Sequence, residues 1–90
     1  MDENKFNCLF STLDHLEFLR KQTRLQTVVK EHWVLVDSIY TLDAGFETMV
    51  FPCDAKGKVT DWGELQVKRY DTYEQMKQGH EGIVKTWRYK

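Results

Sequence analysis

The chain has 90 residues, and a domain of this size buries about 60 to 65% of the surface that it exposes when unfolded. Hydrophobic residues make up 41%, charged residues 30%, and the mean hydropathy is -0.60, which argues against a disordered chain and against a membrane span. The net charge of -1 is unevenly distributed: residues 30–64 hold seven acids and three bases, and residues 65–90 hold three acids and six bases.

The N-terminal sequence and the cysteines bear on the compartment. The stretch MDENKFNCLF places acid before its apolar patch and has neither the basic region nor the long apolar core of a secretory signal. We therefore expect a cytoplasmic protein. In a reducing compartment Cys8 and Cys53 are expected to be free thiols rather than a disulfide.

The first predicted element is an N-terminal helix at about residues 11–25. Its apolar residues recur every three or four positions, at Leu9, Leu13, Leu16 and Leu19. Ser11 or Thr12 can act as the N-cap. This spacing is typical of a helix that buries one face.

Three strands are predicted next, in an antiparallel meander. The runs HWVLVDSIYTL and FETMVFPC are rich in β-branched and aromatic residues, and the short DAG connection between them predicts a β-hairpin. We expect Gly45 to take a positive φ in this turn and Asp43 to bond back to its backbone. A third strand is predicted within VTDWGELQVKRY, with Leu65 and Val67 facing the core.

The stretch RYDTYEQMKQGHEGIVKTW predicts a C-terminal helix. Asp71 or Thr72 is the expected N-cap, because DTYE and TYEQ both have the spacing of a capping box. One apolar stripe runs along the helix and consists of Tyr73, Met76, His80, Ile83, Val84 and Trp87. Gly79 and Gly82 are costly inside a helix, so we expect the sheet to approach the helix closely at both.

These elements predict a single α+β domain over residues 1–90. It consists of an N-terminal helix, a three-stranded antiparallel meander sheet and a C-terminal helix packed on one sheet face. A sheet that is covered on one face leaves edges and apolar surface that a second copy can cover, so a homodimer is also considered.

No motif in the sequence fixes a reaction. His80 is the sharpest chemical candidate, but adjacent helix residues point about 100° apart, so Glu81 is not expected to orient its ring; we interpret His80 as a packed or boundary residue. The possible metal ligands Cys8, Cys53, His15, His32 and His80 are scattered singly. We expect no catalytic residue, no metal and no cofactor.

Two charged regions suggest binding. Acidic residues cluster around the predicted turns, at Asp37, Asp43, Glu47, Asp54, Asp61 and Glu64; they either keep the loops soluble or form a docking surface. The C-terminal VKTWRYK interleaves bases with aromatics, so Lys85, Arg88 and Lys90 either contact phosphates or complement the helix C-terminus.

Residues 47–84 resemble small bacteriophage and prophage proteins. The resemblance rests on ETMVF at the end of a hairpin, then W-x-E-L and RYDT, then GHE in a closing helix. It covers a little under half of the chain. These families have no assigned activity, so no functional residue is carried over. The resemblance implies a small protein that acts in the bacterial host by binding a host enzyme or a defence system, or as an accessory of phage replication.

The prediction is therefore a non-enzymatic phage-encoded protein that binds a bacterial host or defence protein as an inhibitor or adaptor. We expect its contact surface at the turns, formed by Asp43, Phe46, Glu47, Asp54, Asp61 and Trp62, with Phe46 or Trp62 as a buried anchor. The alternative is a nucleic-acid-binding accessory protein of phage replication that uses the basic C-terminal tail, although so few bases in an acidic chain make nucleic acid the weaker expectation.

Overall fold

A computed structural model describes residues 24–90. These residues form four strands and one helix: β1 (Leu25–Val29), β2 (Val34–Thr41), β3 (Gly45–Pro52), β4 (Gln66–Tyr70) and α1 (Tyr73–Arg88). The strands are antiparallel and lie in the order β1-β2-β3-β4, which is a meander. The α+β class is confirmed, and so is the C-terminal helix, which contacts every strand.

The predicted count of three strands is wrong, because β1 was missed. The predicted helix at residues 11–25 falls almost wholly outside the described residues, but its last position, Leu25, begins β1. β1 pairs with β2 along its whole length, from Leu25 opposite Ser38 to Val29 opposite Val34. A strand of five residues offers little periodicity of its own, so its conformation is decided by the edge of β2 with which it pairs.

The hairpin of β2 and β3 forms as predicted, with Gly45 at φ +69. The side chain that hydrogen-bonds to the turn backbone is not the predicted one. The backbone N–H of Ala44 donates to the hydroxyl of Thr41 at 3.1 Å, whereas Asp43 was expected to make the bond to the turn backbone. Because Thr41 ends β2 on the near side of the turn, its short side chain already reaches the N–H.

Helix α1 begins at the predicted cap. The Thr72 hydroxyl accepts a hydrogen bond from the Gln75 backbone at 3.1 Å, and the Gln75 side chain accepts one from the backbone N–H of Asp71 at 3.0 Å. The predicted stripe faces the sheet: Met76, His80, Ile83 and Val84 are buried, and Tyr73 and Trp87 are half-buried. The stripe packs against Val29, Val34, Val36 and Val50 of the sheet to form the core.

The two helix glycines have different surroundings. A Cβ at Gly79 would collide with the ring of Tyr70 in β4, so the predicted close approach is confirmed there. A Cβ at Gly82 would meet nothing within 4 Å, so the same prediction is wrong for Gly82.

The orientation of β4 is the reverse of the predicted one. Leu65 and Val67 were expected in the core, but they are 53% and 41% exposed. Gln66 instead faces α1, where its side-chain oxygen accepts a hydrogen bond from the Trp87 indole at 2.9 Å. The pairing of Val50 with Gln66 sets this orientation, because paired residues share a sheet face and Val50 lies in the core.

The sheet face away from α1 is also partly buried, although the sequence predicts that only one face is covered. Asp37 is 6% exposed and binds the Arg24 guanidinium through both carboxylate oxygens, at 3.2 and 3.1 Å. Glu47 is 7% exposed and lies 3.5 Å from Arg69. Phe51, also on this face, is buried beneath the ring of Trp62. Alternating polar residues therefore do not mark exposed positions here.

Candidate functional site

His80 is the centre of a buried hydrogen-bond network that joins α1 to three strands. Its Nδ1 lies 2.6 Å from the Ser38 hydroxyl and its Nε2 lies 2.9 Å from the Thr27 hydroxyl. Ser38 in turn lies 2.5 Å from the Thr48 hydroxyl. Both ring nitrogens therefore have a partner, as a buried imidazole requires.

The surroundings of His80 favour the neutral imidazole. Burial lowers its pKa, and the weaker influences of Asp37 and Glu81 act in the opposite direction. In the neutral ring one nitrogen donates and the other accepts, and the hydroxyls rotate to match. The hydroxyl groups rather than Glu81 fix the ring, as the angular separation of adjacent helix residues predicts.

The pairing of Ser38 with His80 has the residue types of a nucleophile and its base. The Ser38 side chain, however, is 0% exposed, so no substrate reaches its hydroxyl in this conformation. The partner of the second ring nitrogen is a threonine, not a carboxylate. What this arrangement does in the described structure is to hold α1 in register on the sheet.

Within residues 24–90, no group of three or more His, Cys, Asp and Glu side chains is placed to hold a metal ion. Cys53 is a buried free thiol, as predicted, and its pKa is raised by burial and by the nearby Asp54. Cys8 lies outside the described residues. Over the same part of the chain, no helix is long and apolar enough to cross a membrane.

The residues predicted at the β2–β3 turn have unequal exposure. Asp43 lies in the turn and is exposed. Phe46 is half-buried between the rings of Tyr40 and Tyr73, at 4.8 and 6.4 Å between centroids. Glu47 is buried on the face away from α1. Of these residues, the structure leaves Asp43 alone free to meet a partner without repacking.

The residues predicted in the β3–β4 connection (residues 53–65) shape that loop. The carboxylate of Asp54 accepts hydrogen bonds from the backbone of Lys56 and Lys58, both at 2.9 Å. Asp61 accepts one from the backbone of Gly63 at 2.9 Å. These bonds fix the loop on either side of its β-bridge between Cys53 and Val59.

The two predicted turn regions do not meet. The β2–β3 turn lies at the start of β3, and the β3–β4 connection lies at its end. The eight residues of β3 separate them, which at the usual rise along a strand is about 24 Å. The six predicted contact residues therefore belong to two separate surfaces.

An exposed apolar patch lies at the β3–β4 end, and we call it the Trp62 surface. It consists of Trp62, Leu65 and Val67, which are 72%, 53% and 41% exposed. The Trp62 ring rests edge-on against Phe51, with centroids 5.3 Å apart, and the Leu65 backbone is held to β3 by a 2.7 Å hydrogen bond to Val50. The sequence identified Trp62 but assigned Leu65 and Val67 to the core.

The basic tail lies at the end of α1. Lys85, Arg88 and Lys90 are exposed, and the Lys90 ammonium lies 4.6 Å from the centroid of the Trp87 ring. Trp87 is half-buried and is already engaged by Gln66 and by the edge of His32, 6.1 Å away. Of the two aromatic residues in the tail, Trp87 is therefore committed to the fold, whereas Tyr89 is 76% exposed.

Sequence reasoning missed the partners of His80. Thr27, Ser38 and Thr48 come from three different strands and converge only in the folded sheet. One signal was present: Ser38 and Thr48 occupy positions where the alternation of β2 and β3 demands a core residue.

Comparison of the chain with protein-family models, with curated proteins and with solved structures finds no match. Function must therefore be argued from the surfaces themselves.

Proposed function

We propose that this chain is a non-enzymatic, phage-encoded protein that binds a bacterial host or defence protein in the cytoplasm, as an inhibitor or adaptor. The phage context rests on the resemblance of residues 47–84 alone. We place the contact at the Trp62 surface. Of the two turn regions predicted to bind the partner, this proposal keeps only the one at the β3–β4 end.

The observation that carries the proposal is the exposure of Trp62. Its side chain is 72% exposed although it is the largest apolar residue type, and Leu65 and Val67 beside it are also exposed. Tryptophan is among the residues most often found at the energetic centre of a protein interface. The Trp62 ring also packs against the ring of Phe51, and this contact holds it in position to meet a partner.

The charges around Trp62 indicate the chemistry of the partner. Asp61 precedes it and Glu64 follows two residues later, and both are exposed. A partner with a shallow apolar pocket and basic residues at its rim would complement this arrangement. The acids would chiefly accelerate and orient association, while burial of the Trp62 ring would supply most of the affinity.

Affinity purification of a tagged chain from bacterial lysate, followed by binding measurements with the recovered protein, tests the proposal. Trp62→Ala should weaken binding by about 30-fold or more, since an interface anchor contributes about 2 kcal/mol or more. The matched control is Leu42→Ala. Leu42 is 71% exposed but lies in the β2–β3 turn, so its removal should leave binding unchanged.

A charge-reversal pair tests the rim. Asp61→Lys should slow association, while Asp43→Lys at the other end of β3 should not. Equal binding by Trp62→Ala and the unchanged protein would refute the placement. If light scattering shows that the surface joins two copies of this chain, the predicted homodimer replaces the host partner.

The alternative function, binding of nucleic acid through Lys85, Arg88 and Lys90, remains a separate proposal with a distinct outcome. If the lysate yields nucleic acid alone, and its retention falls steeply with salt and is lost when these three residues are changed to serine, the accessory role is favoured.

A further inference from the structure

A second surface lies on the other side of β4, where an open groove of about 970 Å³ separates this strand from α1. One wall is β4, which the meander leaves at an edge of the sheet. The other wall is the side of α1 that carries Gln75, Gly79, Gly82 and Thr86. This groove was not anticipated from the sequence. It shares β4 with the Trp62 surface, but it opens on the α1 side of the sheet, whereas the Val67 side chain lies on the opposite face.

Within residues 24–90, β4 is an edge strand, so part of its backbone hydrogen-bonding capacity is unused by the described sheet. In an antiparallel sheet every second residue of an edge strand points its N–H and C=O away from the neighbouring strand. Val67, Lys68 and Arg69 in the middle of β4 are all exposed. An extended chain laid along this edge would meet a row of backbone donors and acceptors.

The helix wall leaves room for such a chain. Apart from the neighbouring helix backbone, no atom of the described residues lies within 4 Å of the position of a Cβ at Gly82, so the absence of a side chain keeps the groove open. Gly79 has a different role. It makes room for the Tyr70 ring, which packs against it and forms part of the groove floor. A glycine in a helix interior is costly, and no contact with another described residue explains the glycine at position 82.

The charged residues that line the groove indicate what kind of peptide would bind there. Lys68 pairs with Thr48, so its side chain is on the α1 side of the sheet, and its ammonium lies 5.6 Å from the centroid of the Tyr70 ring. Arg69 points to the other face, towards Glu47. Asp71 lies at one end, where the chain leaves β4 for α1. The centre of the groove is therefore cationic.

We propose that this groove binds an extended, acidic peptide segment of another protein, which adds to β4 as a fifth strand. The backbone edge supplies affinity, and Lys68 supplies the preference for an acidic side chain at the centre of the segment. A second copy of this chain is a poorer occupant, because antiparallel pairing of two β4 strands centred on Lys68 places two ammonium groups opposite each other.

The test uses two blocked peptides of about seven residues, in which threonine and valine alternate around a central glutamate or a central lysine. Binding is measured by fluorescence anisotropy, and the contacted amides are located by NMR. The glutamate peptide should bind about tenfold more tightly than the lysine peptide, and Lys68→Glu should reverse this preference. The shifted amides should lie in β4 and along the groove wall of α1.

Gly82 provides a matched pair of variants. Gly82→Ala and Gly82→Leu both replace the glycine with a better helix former, and the Cβ that each adds has open space around it, so both should fold with an unchanged or higher melting temperature. Only leucine fills the groove. We therefore expect Gly82→Ala to bind the glutamate peptide as the unchanged protein does, and Gly82→Leu to bind it at least about tenfold more weakly.

Four results would overturn the proposal: no binding of either peptide up to about 1 mM, equal binding of both, undiminished binding by a folded Gly82→Leu protein, or a dimer of this chain that Gly82→Leu dissociates. Trp62→Ala should leave peptide binding unchanged. The failure of this proposal is therefore distinguishable from failure of the function assigned to the Trp62 surface.

Discussion

At the scale of single residues, His80 determines how stability responds to pH. Burial lowers its pKa below the ordinary value of 6.5, so between the two values the unfolded chain binds more protons than the folded one. The His80 contribution to the free energy of unfolding is therefore fully present above about pH 6.5. It is lost as pH falls from there through the lowered pKa, with a slope of at most about 1.4 kcal/mol per pH unit.

Urea unfolding between about pH 5 and 7.5 measures this slope. His80→Gln should be less stable at neutral pH, because glutamine cannot reproduce both hydroxyl contacts, but its stability should vary less with pH over this range. A slope that survives in His80→Gln would show that another group carries it.

Tyr70 is a second residue with a testable effect on stability, because its ring and its hydroxyl contribute differently. Its ring is packed against Gly79, and its hydroxyl oxygen is buried without a hydrogen-bond partner among the described residues. A buried, unpaired hydroxyl costs about 1 to 3 kcal/mol. Tyr70→Phe should therefore leave the free energy of unfolding unchanged or raise it, as measured by denaturant unfolding. A loss of more than about 1 kcal/mol would mean that the hydroxyl does find a partner.

At the scale of elements, the two sides of α1 respond oppositely to alanine. Ile83 is 6% exposed in the core, so Ile83→Ala should lower the free energy of unfolding by about 2 to 5 kcal/mol. Gly82 is adjacent but faces open space, so Gly82→Ala should raise it by about 0.5 to 1 kcal/mol. Chemical denaturation of both variants tests the helix orientation, and similar losses in both would contradict it.

The elements also differ in how far the sequence determines them. The 16 residues of α1 span more than four turns, so its stripe and its Thr72 cap can be predicted from spacing alone. The hairpin of β2 and β3 is likewise predictable, because Gly45 marks the turn between two β-branched runs.

Short strands escaped this reasoning. Leu65, just before β4, and Val67 within it alternate correctly for a core strand, yet both are exposed. The register with β3 decides which face is buried, and a slip of one residue exchanges the faces. The Asp37 and Glu47 carboxylates were misjudged for a related reason, since each lies buried in the sheet and pairs with an arginine distant in sequence, Arg24 and Arg69.

The candidate surfaces also differ in how far the sequence predicts them. Trp62 was identifiable from the sequence because an isolated aromatic in a polar, glycine-bearing loop is conspicuous. The sequence did not show that β3 separates the two predicted turns, and it did not show the groove between β4 and α1. Both depend on strand order and on the placement of α1, which are properties of the assembled sheet.

At the scale of the whole molecule, the four-stranded sheet separates two kinds of surface. The face away from α1 presents the Trp62 surface, an exposed apolar patch with acidic neighbours. The α1 side of β4 presents a backbone edge beside a cationic groove. In our account the Trp62 surface holds the bacterial partner, and the β2–β3 turn and the basic tail stay outside that contact.

Hydrogen-exchange mass spectrometry tests this central claim most directly, with the chain measured alone and in complex with the protein recovered from lysate. We predict slower amide exchange over residues 61–67 in the complex, with no change over the β2–β3 turn at residues 41–45 or over the tail at residues 85–90. Protection confined to the β2–β3 turn or to the tail, with residues 61–67 unaffected, would contradict the account.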